Sequence, residues 1–470
     1  MSLLYILLPI ATLAILLIYY LLTRKTCRHE WKKIYSETMW ESNVIVTVYQ
    51  CTKCGKTKRE YRPISEVSMD AFERIKKYLA YSDVSPISIV SAPGRIDFLN
   101  THQDYKGLPV VPIAINLRIY FMAVRELENI FLIKSLDLNE TRSVSIHSTR
   151  PKSRHFSDYV KACLNILSKE KNFKPKHGYE IIISSDIPIG GGMGSSGAFE
   201  VAFIKLISEL YHIDLSPIEI AELAYRAENE IMKIPCGRLD QYASAIGGTI
   251  LLYPKYPPKI DILNKPPMEI MVVDSGVKHE TANIHPVRQQ ELNTAIMELN
   301  NLDIPRELRK KIQGTFSTIK WEEITEEEIS RYIDKISEKP ARRFLFTIRM
   351  NELTKIAVKI LKNESLSIAD KENLQKYGVK ETDRTKVLCE IVNKQHELLR
   401  DLYEVSIPEI EKIIDRVLEA GASAAKISGA GLGGCIIVLS EERYIEKIKM
   451  AALDAGASRV WHVKADKGVC

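Results

Sequence analysis

A globular protein of mixed α and β structure, built from more than one unit and carried behind an apolar N-terminal helix, is what the sequence predicts. Three observations lead there. The chain has 470 residues, and at about 100–200 residues per domain that length accommodates roughly two to four units. Its composition, 45% hydrophobic and 27% charged, lies in the ordinary globular range and excludes long disordered or low-complexity stretches. Strand-like runs at residues 87–90, 110–115, 179–183 and 436–439 are interleaved with glycine-rich loops and with a helical segment that begins near Ala198. No repeat of fixed period is present. The net charge of +6 is small for this length and the two signs are interspersed, so nothing calls for a nucleic-acid partner.

Residues 3–22 carry no charge and are dominated by Leu, Ile, Ala and Tyr, which is about the length a helix needs to cross a bilayer. Pro9 is tolerable inside such a span. Basic residues follow the stretch, at Arg24, Lys25, Arg28, Lys32 and Lys33, rather than preceding it as in a cleaved signal peptide. The expectation is a single-pass membrane protein with everything downstream in the cytoplasm. Translation starting at Met39 or Met69 would leave this anchor out. The eight cysteines divide into a cluster of Cys27, Cys51 and Cys54 and five scattered ones, as expected in a reducing compartment. Cys27 and His29, with Cys51 and Cys54 across a strand-like run at 44–49, read as a structural zinc knuckle over residues 24–62. So small a segment lacks the apolar mass to fold without a staple. The alternative is unliganded thiols beside a surface histidine. Residues 63–85 are polar with a helical pattern and read as a linker helix.

Three motifs carry chemistry. The first runs from Ser91 to Gly107 and reads as a polar loop between strands, with Arg95, His102 and Asp104 suited to a polyhydroxylated ligand. In the second, Gly190, Gly191, Gly192, Gly194, Ser195, Ser196 and Gly197 join a strand to a helix. Glycines let the backbone approach a polyphosphate, the helix N-terminus offers unpaired N–H groups, and the serine hydroxyls suit phosphate or magnesium. The spacing is that of neither a Walker A loop nor a dinucleotide fingerprint. The third, Lys426 to Cys435, is another glycine-rich loop and suggests a site assembled from both ends of the chain. Between them, Glu228 is placed to ligate a metal and Asp240 to orient or deprotonate a hydroxyl. Either carboxylate alone is more often a surface charge or a cap.

In this order the segments resemble the GHMP kinases, and within them the galactokinase branch. The residues carrying the resemblance are 94–107, 235–241 (PCGRLDQ), 273–279 (VDSGVKH) and 396–406 (HELLRDLYEVS), the last at what reads as a helix start. The resemblance implies a two-lobed α+β fold behind the transmembrane helix, with an N-terminal lobe of the ribosomal S5 domain 2-like type over residues 86–265 and a ferredoxin-like lobe over 266–470. It implies ATP and Mg2+ as cofactors and phosphoryl transfer to a sugar hydroxyl, with Asp240 as catalytic carboxylate, Arg95 stabilising the transferred group, and Ser196 with Glu228 holding Mg2+. His102, Asp104 and the backbone of Gly237 match sugar-contacting positions.

Two positions depart from the branch. Thr101 stands where galactokinases carry glutamate, and His285 where they carry tyrosine, both facing the sugar in that family. The resemblance therefore implies a sugar 1-kinase acting on galactose or a related hexose or uronate, with altered preference at the exocyclic carbon. The alternatives are a mevalonate-type kinase and a catalytically silent sugar-binding regulator. The charge-rich stretch 301–363 reads as helices covering the C-terminal lobe. The N-terminal module suggests a membrane location beside a transporter, or an unknown protein partner.

Overall fold

The computed structural model describes residues 30–39, 44–53, 56–63, 70–82, 84–147, 150–151, 155–277 and 281–470. The membrane anchor expected at 3–22 lies outside the described residues, as do Cys27, His29 and Cys54 of the expected zinc knuckle. Among the described residues, no helix is long and apolar enough to cross a membrane.

Two compact units are present. The smaller contains an antiparallel meander of β1 (Trp31–Met39), β2 (Val44–Cys51) and β3 (Thr57–Pro63), with Trp31 opposite Cys51, Val44 opposite Pro63 and a register shift in β1 between Lys33 and Tyr35. Cys51 is buried at the end of β2.

The larger unit begins with α1 (Ala71–Ser82), within the segment read as a linker. This helix is part of the lobe it precedes. The Ala71 N–H donates to Asp186 Oδ1 at 2.8 Å, and buried Arg74 donates from Nε to Ser184 Oγ at 2.9 Å. The first lobe continues with β4 (Ser88–Leu99), β5 (Val111–Leu127), β6 (Ile130–Ser135), β7 (Glu140–Ser145), α2 (Phe156–Lys171), β8 (Gly178–Ser185), α3 (Ser195–Leu210) and α4 (Pro217–Arg226). A π-turn (Ala227–Ile231), α5 (Leu239–Ile246), β9 (Thr249–Tyr253) and β10 (Lys259–Leu263) complete it. The sheet runs β10-β9-β5-β8-β6-β7, with β4 also paired to β5.

The second lobe holds β11 (Glu269–Asp274), α6 (Thr281–Asn301), α7 (Arg306–Lys311), α8 (Glu326–Ile333), α9 (Glu338–Leu361), α10 (Ile368–Lys376), α11 (Arg384–Asp401), α12 (Pro408–Glu419), β12 (Ala424–Ser428), β13 (Cys435–Ser440), α13 (Ile445–Ala455) and β14 (Arg459–Val463). Its four strands form an antiparallel sheet in the order β12-β13-β11-β14. Every residue of β12 and β13 is buried, which is why these strands read as near-continuous apolar runs. Beyond β14 the chain returns to the first lobe. Cys470 and Ser91 exchange backbone hydrogen bonds of 3.0 and 2.7 Å, and Arg118 pairs with Asp466 at 2.7 Å.

Two local readings are corrected. The first motif is not wholly a loop: residues 91–99 continue β4, with a register shift between Pro93 and Gly94 that accommodates two poor strand formers. The turn starts only at Asn100, which has a φ of 66°, as does His102. Residues 396–401 end α11 rather than starting a helix; the next helix opens at Pro408, whose fixed φ suits a first turn.

Candidate active site

A cavity of about 400 Å3 opens where β4, the glycine loop before α3, the segment before α5 and the β12–β13 loop meet. β4 supplies Arg95 and Asp97, the turn after it supplies His102 and Asp104, α5 supplies Asp240, and the π-turn supplies Glu228. The motifs read separately in the sequence therefore converge on one site.

Its centre is an ion pair. Arg95, 7% exposed, donates from Nε to Asp240 Oδ1 at 2.8 Å and approaches the same oxygen with Nη2 at 2.6 Å. Its Nη1 donates to the carbonyl of Gly192, and its backbone N–H to that of Met193 at 3.0 Å. The guanidinium is thus fixed between the carboxylate and the glycine loop. Gly192 has a φ of +72°, and a methyl there would lie 2.9 Å from the Ser428 carbonyl oxygen, so the two glycine-rich loops touch where only glycine fits. Gly190, Gly192, Gly194, Ser195 and Ser196 line the cavity, whereas Gly191 and Gly197 shape the loop from behind. α3, 16 residues long, opens at Ser195, so its unpaired N–H groups lie at the cavity edge, where a phosphate is stabilised.

Behind the loop, carboxylates outnumber cations. Gln241 Nε2 donates to Glu228 at 2.6 Å and to Glu200 at 3.1 Å. Burial, and then the charge of Asp240, push the Glu228 carboxyl up to about 7 even though the Ser196 hydroxyl bonds it. Glu200 is fully buried, is held well above the usual carboxylate range by burial and by Glu228, and has one oxygen without a partner. Such a set is suited to a divalent cation, which would relieve the repulsion. Glu228 and Ser196 are the two groups on the cavity side. Among the described residues, no three His, Cys, Asp or Glu side chains are arranged to hold a metal on their own. Mg2+ takes one or two protein ligands and completes its shell with phosphate oxygens and water.

The opposite wall is polar. Asp104 accepts from the Leu239 N–H at 3.4 Å and sits so close to Gly237 that a methyl there would lie 1.6 Å from its Oδ2. Burial, then the charges of Asp97 and Asp240, raise its carboxyl to about 6. His102 is held well below its ordinary value by burial, by His285 and by Lys106, and is neutral. Its Nε2 lies 3.2 Å from the Ala430 carbonyl, which only accepts, so Nε2 carries the proton. Nδ1 then accepts from the Tyr105 hydroxyl at 3.3 Å, and Tyr105 accepts from Tyr403 at 2.6 Å. Both ring nitrogens are engaged within the protein, so the directed bond to a ligand expected of this histidine is already taken.

His285 lines the cavity with its ring 5.2 Å from Tyr105 and 5.3 Å from His102. Thr101 does not line it. The residue is fully buried, and its Oγ1 accepts from Lys426 Nζ at 2.6 Å. The expectation that Thr101 faces the ligand is corrected accordingly: a buried ammonium needs acceptors, and Thr101 is one. Lys426 also donates to the carbonyls of Asp97 and Ile427 at 3.0 Å each, and burial lowers it to about 8 despite nearby Asp97. Asp97, Lys426, Glu200 and Gln241 carried no role in the sequence reading. The signal for two of them was there: a single charge in an apolar strand (AAKIS) and in an apolar helix face (AFEVAF).

Family models match three parts of the chain: the GHMP kinases N terminal domain over residues 158–248, the GHMP kinases C terminal over 371–457, and the galactokinase galactose-binding signature over 77–125. A galactokinase of Thermotoga petrophila is 32% identical over 370 residues, covering 77% of this chain and 91% of that protein. One of Thermococcus kodakarensis is 29% identical over 362 residues, covering 75% and 89%. The structure of Lactococcus lactis galactokinase complexed with galactose superposes with a TM-score of 0.69 at 22% identity, covering 85% of this chain and 99% of the other. Methanococcus jannaschii mevalonate kinase shares the fold more distantly, with a TM-score of 0.56 at 19% identity. With the two lobes, the loop and the ion pair in place, and with matches that span both lobes, the chain belongs to the galactokinase branch of the GHMP kinases.

Proposed function

We propose that the protein transfers the terminal phosphoryl group of ATP to the anomeric hydroxyl of galactose. The observation carrying this reading is the Arg95–Asp240 pair, which stands where the phosphate-suited glycine loop meets the polar wall of Asp97 and Asp104. Phosphoryl transfer is mostly positioning and charge neutralisation. Arg95, fixed at both ends, faces the transferred group; Asp240 orients the attacking hydroxyl and takes its proton as the bond forms. The loop from Gly190 to Gly197 holds the nucleotide phosphates. Glu228 and Ser196 would hold Mg2+, which would supply neutralisation of the phosphate charge.

The carboxylates of Asp97 and Asp104 disfavour an anionic acceptor, which weighs against mevalonate and against a uronate. Galactose-dependent ADP release by the wild type, lost by at least about a thousandfold in Asp240→Asn with both KM values retained, tests the assignment. A silent regulator would bind the sugar and release no ADP.

We further propose that residues 3–22 anchor the protein in a membrane with both lobes in the cytoplasm. The uncharged run and the basic residues after it support this reading. Recovery of the full chain in the soluble fraction would contradict it. Cys27, His29, Cys51 and Cys54 are proposed to hold a structural zinc ion, so that purified protein carries about one equivalent of zinc, lost in Cys54→Ser. The module then serves to place the kinase beside a transporter or a protein partner. A chain starting at Met69 that supports equal sugar assimilation in cells would remove that role.

A further inference from the structure

Between the Arg95–Asp240 pair and Asp104, the cavity wall carries a carboxylate that phosphoryl transfer does not use. Asp97 follows Arg95 by two residues on β4, lines the cavity and is 5% exposed. Its backbone is spoken for: the N–H donates to Ser428 Oγ at 3.1 Å, and the carbonyl accepts from Lys426 at 3.0 Å. The side chain is held by a relay in which Lys426 donates to Thr101 at 2.6 Å and the Thr101 hydroxyl donates to the Asp97 carboxyl. The other oxygen, Oδ1, is buried and meets no donor in the protein. A buried carboxylate oxygen left without a donor is unfavourable, and it persists where a ligand completes it.

Resting on the sugar-kinase reading, we infer that Asp97 is a specificity-determining residue whose Oδ1 accepts a hydroxyl of the sugar and whose charge excludes acidic sugars. The surrounding charges agree. Lys426 gives its three N–H groups to Thr101 and two carbonyls, so it is not left to receive a carboxylate on the ligand. Asp97 and Asp240 also act on Asp104, raising it beyond what burial does. Three carboxylates around one cavity accept from a neutral polyol, which has donors on each face, and repel an anion. Thr101 and Lys426 act through Asp97: they keep its other oxygen satisfied and its charge in place.

The test uses the full-length wild type and Asp97→Asn, which preserves shape and removes the charge, with galactose, its deoxy analogues and galacturonate at saturating ATP. Asp97→Asn is expected to raise the galactose KM about tenfold to a hundredfold. It should change kcat by less than about threefold, leave the ATP KM unchanged, and narrow the preference for galactose over galacturonate by at least the same factor. One deoxy analogue, the one lacking the hydroxyl bound by Oδ1, should be discriminated against by the wild type and not by the variant.

An unchanged galactose KM and preference in an active variant overturn the inference alone. So does a loss confined to kcat, which would assign Asp97 to holding Arg95. A wild type inactive on every sugar overturns the kinase reading and this inference with it. Should the variant not fold, a galactose complex of the wild type decides: a sugar hydroxyl within about 3.2 Å of Oδ1 is expected, and a sugar out of its reach overturns the proposal.

Discussion

Replacing Gly237 by alanine perturbs the sugar wall through a single contact. The added methyl would lie 1.6 Å from Asp104 Oδ2, 2.2 Å from its Cγ and 2.8 Å from Oδ1. Ordinary contact distances begin near ~3.4 Å, so the carboxylate must retreat by about 1.5–2 Å. That displacement breaks the 3.4 Å bond from the Leu239 N–H. It also takes the carboxylate out of hydrogen-bonding reach of a ligand positioned for its present place. A hydrogen bond to a charged group contributes about 1.5–3 kcal/mol, so kcat/KM for galactose should fall about tenfold to 150-fold. The ATP KM should stay within about twofold, because the glycine loop is untouched. Steady-state kinetics on both substrates read the split. The double variant Gly237→Ala with Asp104→Asn should lose no more than Asp104→Asn alone, since both remove the same interaction. Losses that add in the double variant, or a galactose kcat/KM kept within about threefold in Gly237→Ala, would refute the reasoning.

Asp104 titrates near 6, so the galactose KM should rise about tenfold between pH 7 and pH 5 as the carboxylate gains a proton. The stability linkage runs the other way: this raised carboxyl contributes stability that is fully present below its ordinary value of 3.8 and lost as pH rises through about 6. Thermal melts should therefore show a component of that sign, absent in Asp104→Asn. Gly192→Ala forces a side chain onto a φ of +72° and against the Ser428 carbonyl, at a cost of about 1–2 kcal/mol from the backbone alone. The ATP KM should rise by at least about fivefold with the galactose KM nearly unchanged; the reverse pattern would misplace the loop.

The parts of the site legible in the sequence are those whose chemistry is local. The run Gly190 to Gly197 sits between a strand and a helix, and that context suffices to read a phosphate loop. Asp240 and Glu228 were ambiguous carboxylates taken singly; their places in the site are set by Arg95 and Gln241, which reach them across the fold. Thr101 was expected to face the ligand because it stands where galactokinases carry a glutamate that faces the sugar, yet its partner Lys426 is 325 positions away. No local pattern foretells that pairing. The engagement of both His102 nitrogens likewise depends on Ala430 and on the Tyr105–Tyr403 pair. The strand-like run at 87–90 was read as giving way to a loop at Ser91 because polar groups follow it, whereas tertiary pairing with β5 carries the strand on through Pro93 and Gly94 with a register shift.

The most direct measurement is the product itself. Phosphorus NMR of wild-type protein incubated with ATP, Mg2+ and galactose should show a phosphomonoester coupled to the anomeric proton, accumulating with ADP in a one-to-one ratio and absent with Asp240→Asn. A phosphate on another hydroxyl, or ADP formed at the same rate without galactose, would contradict the assignment.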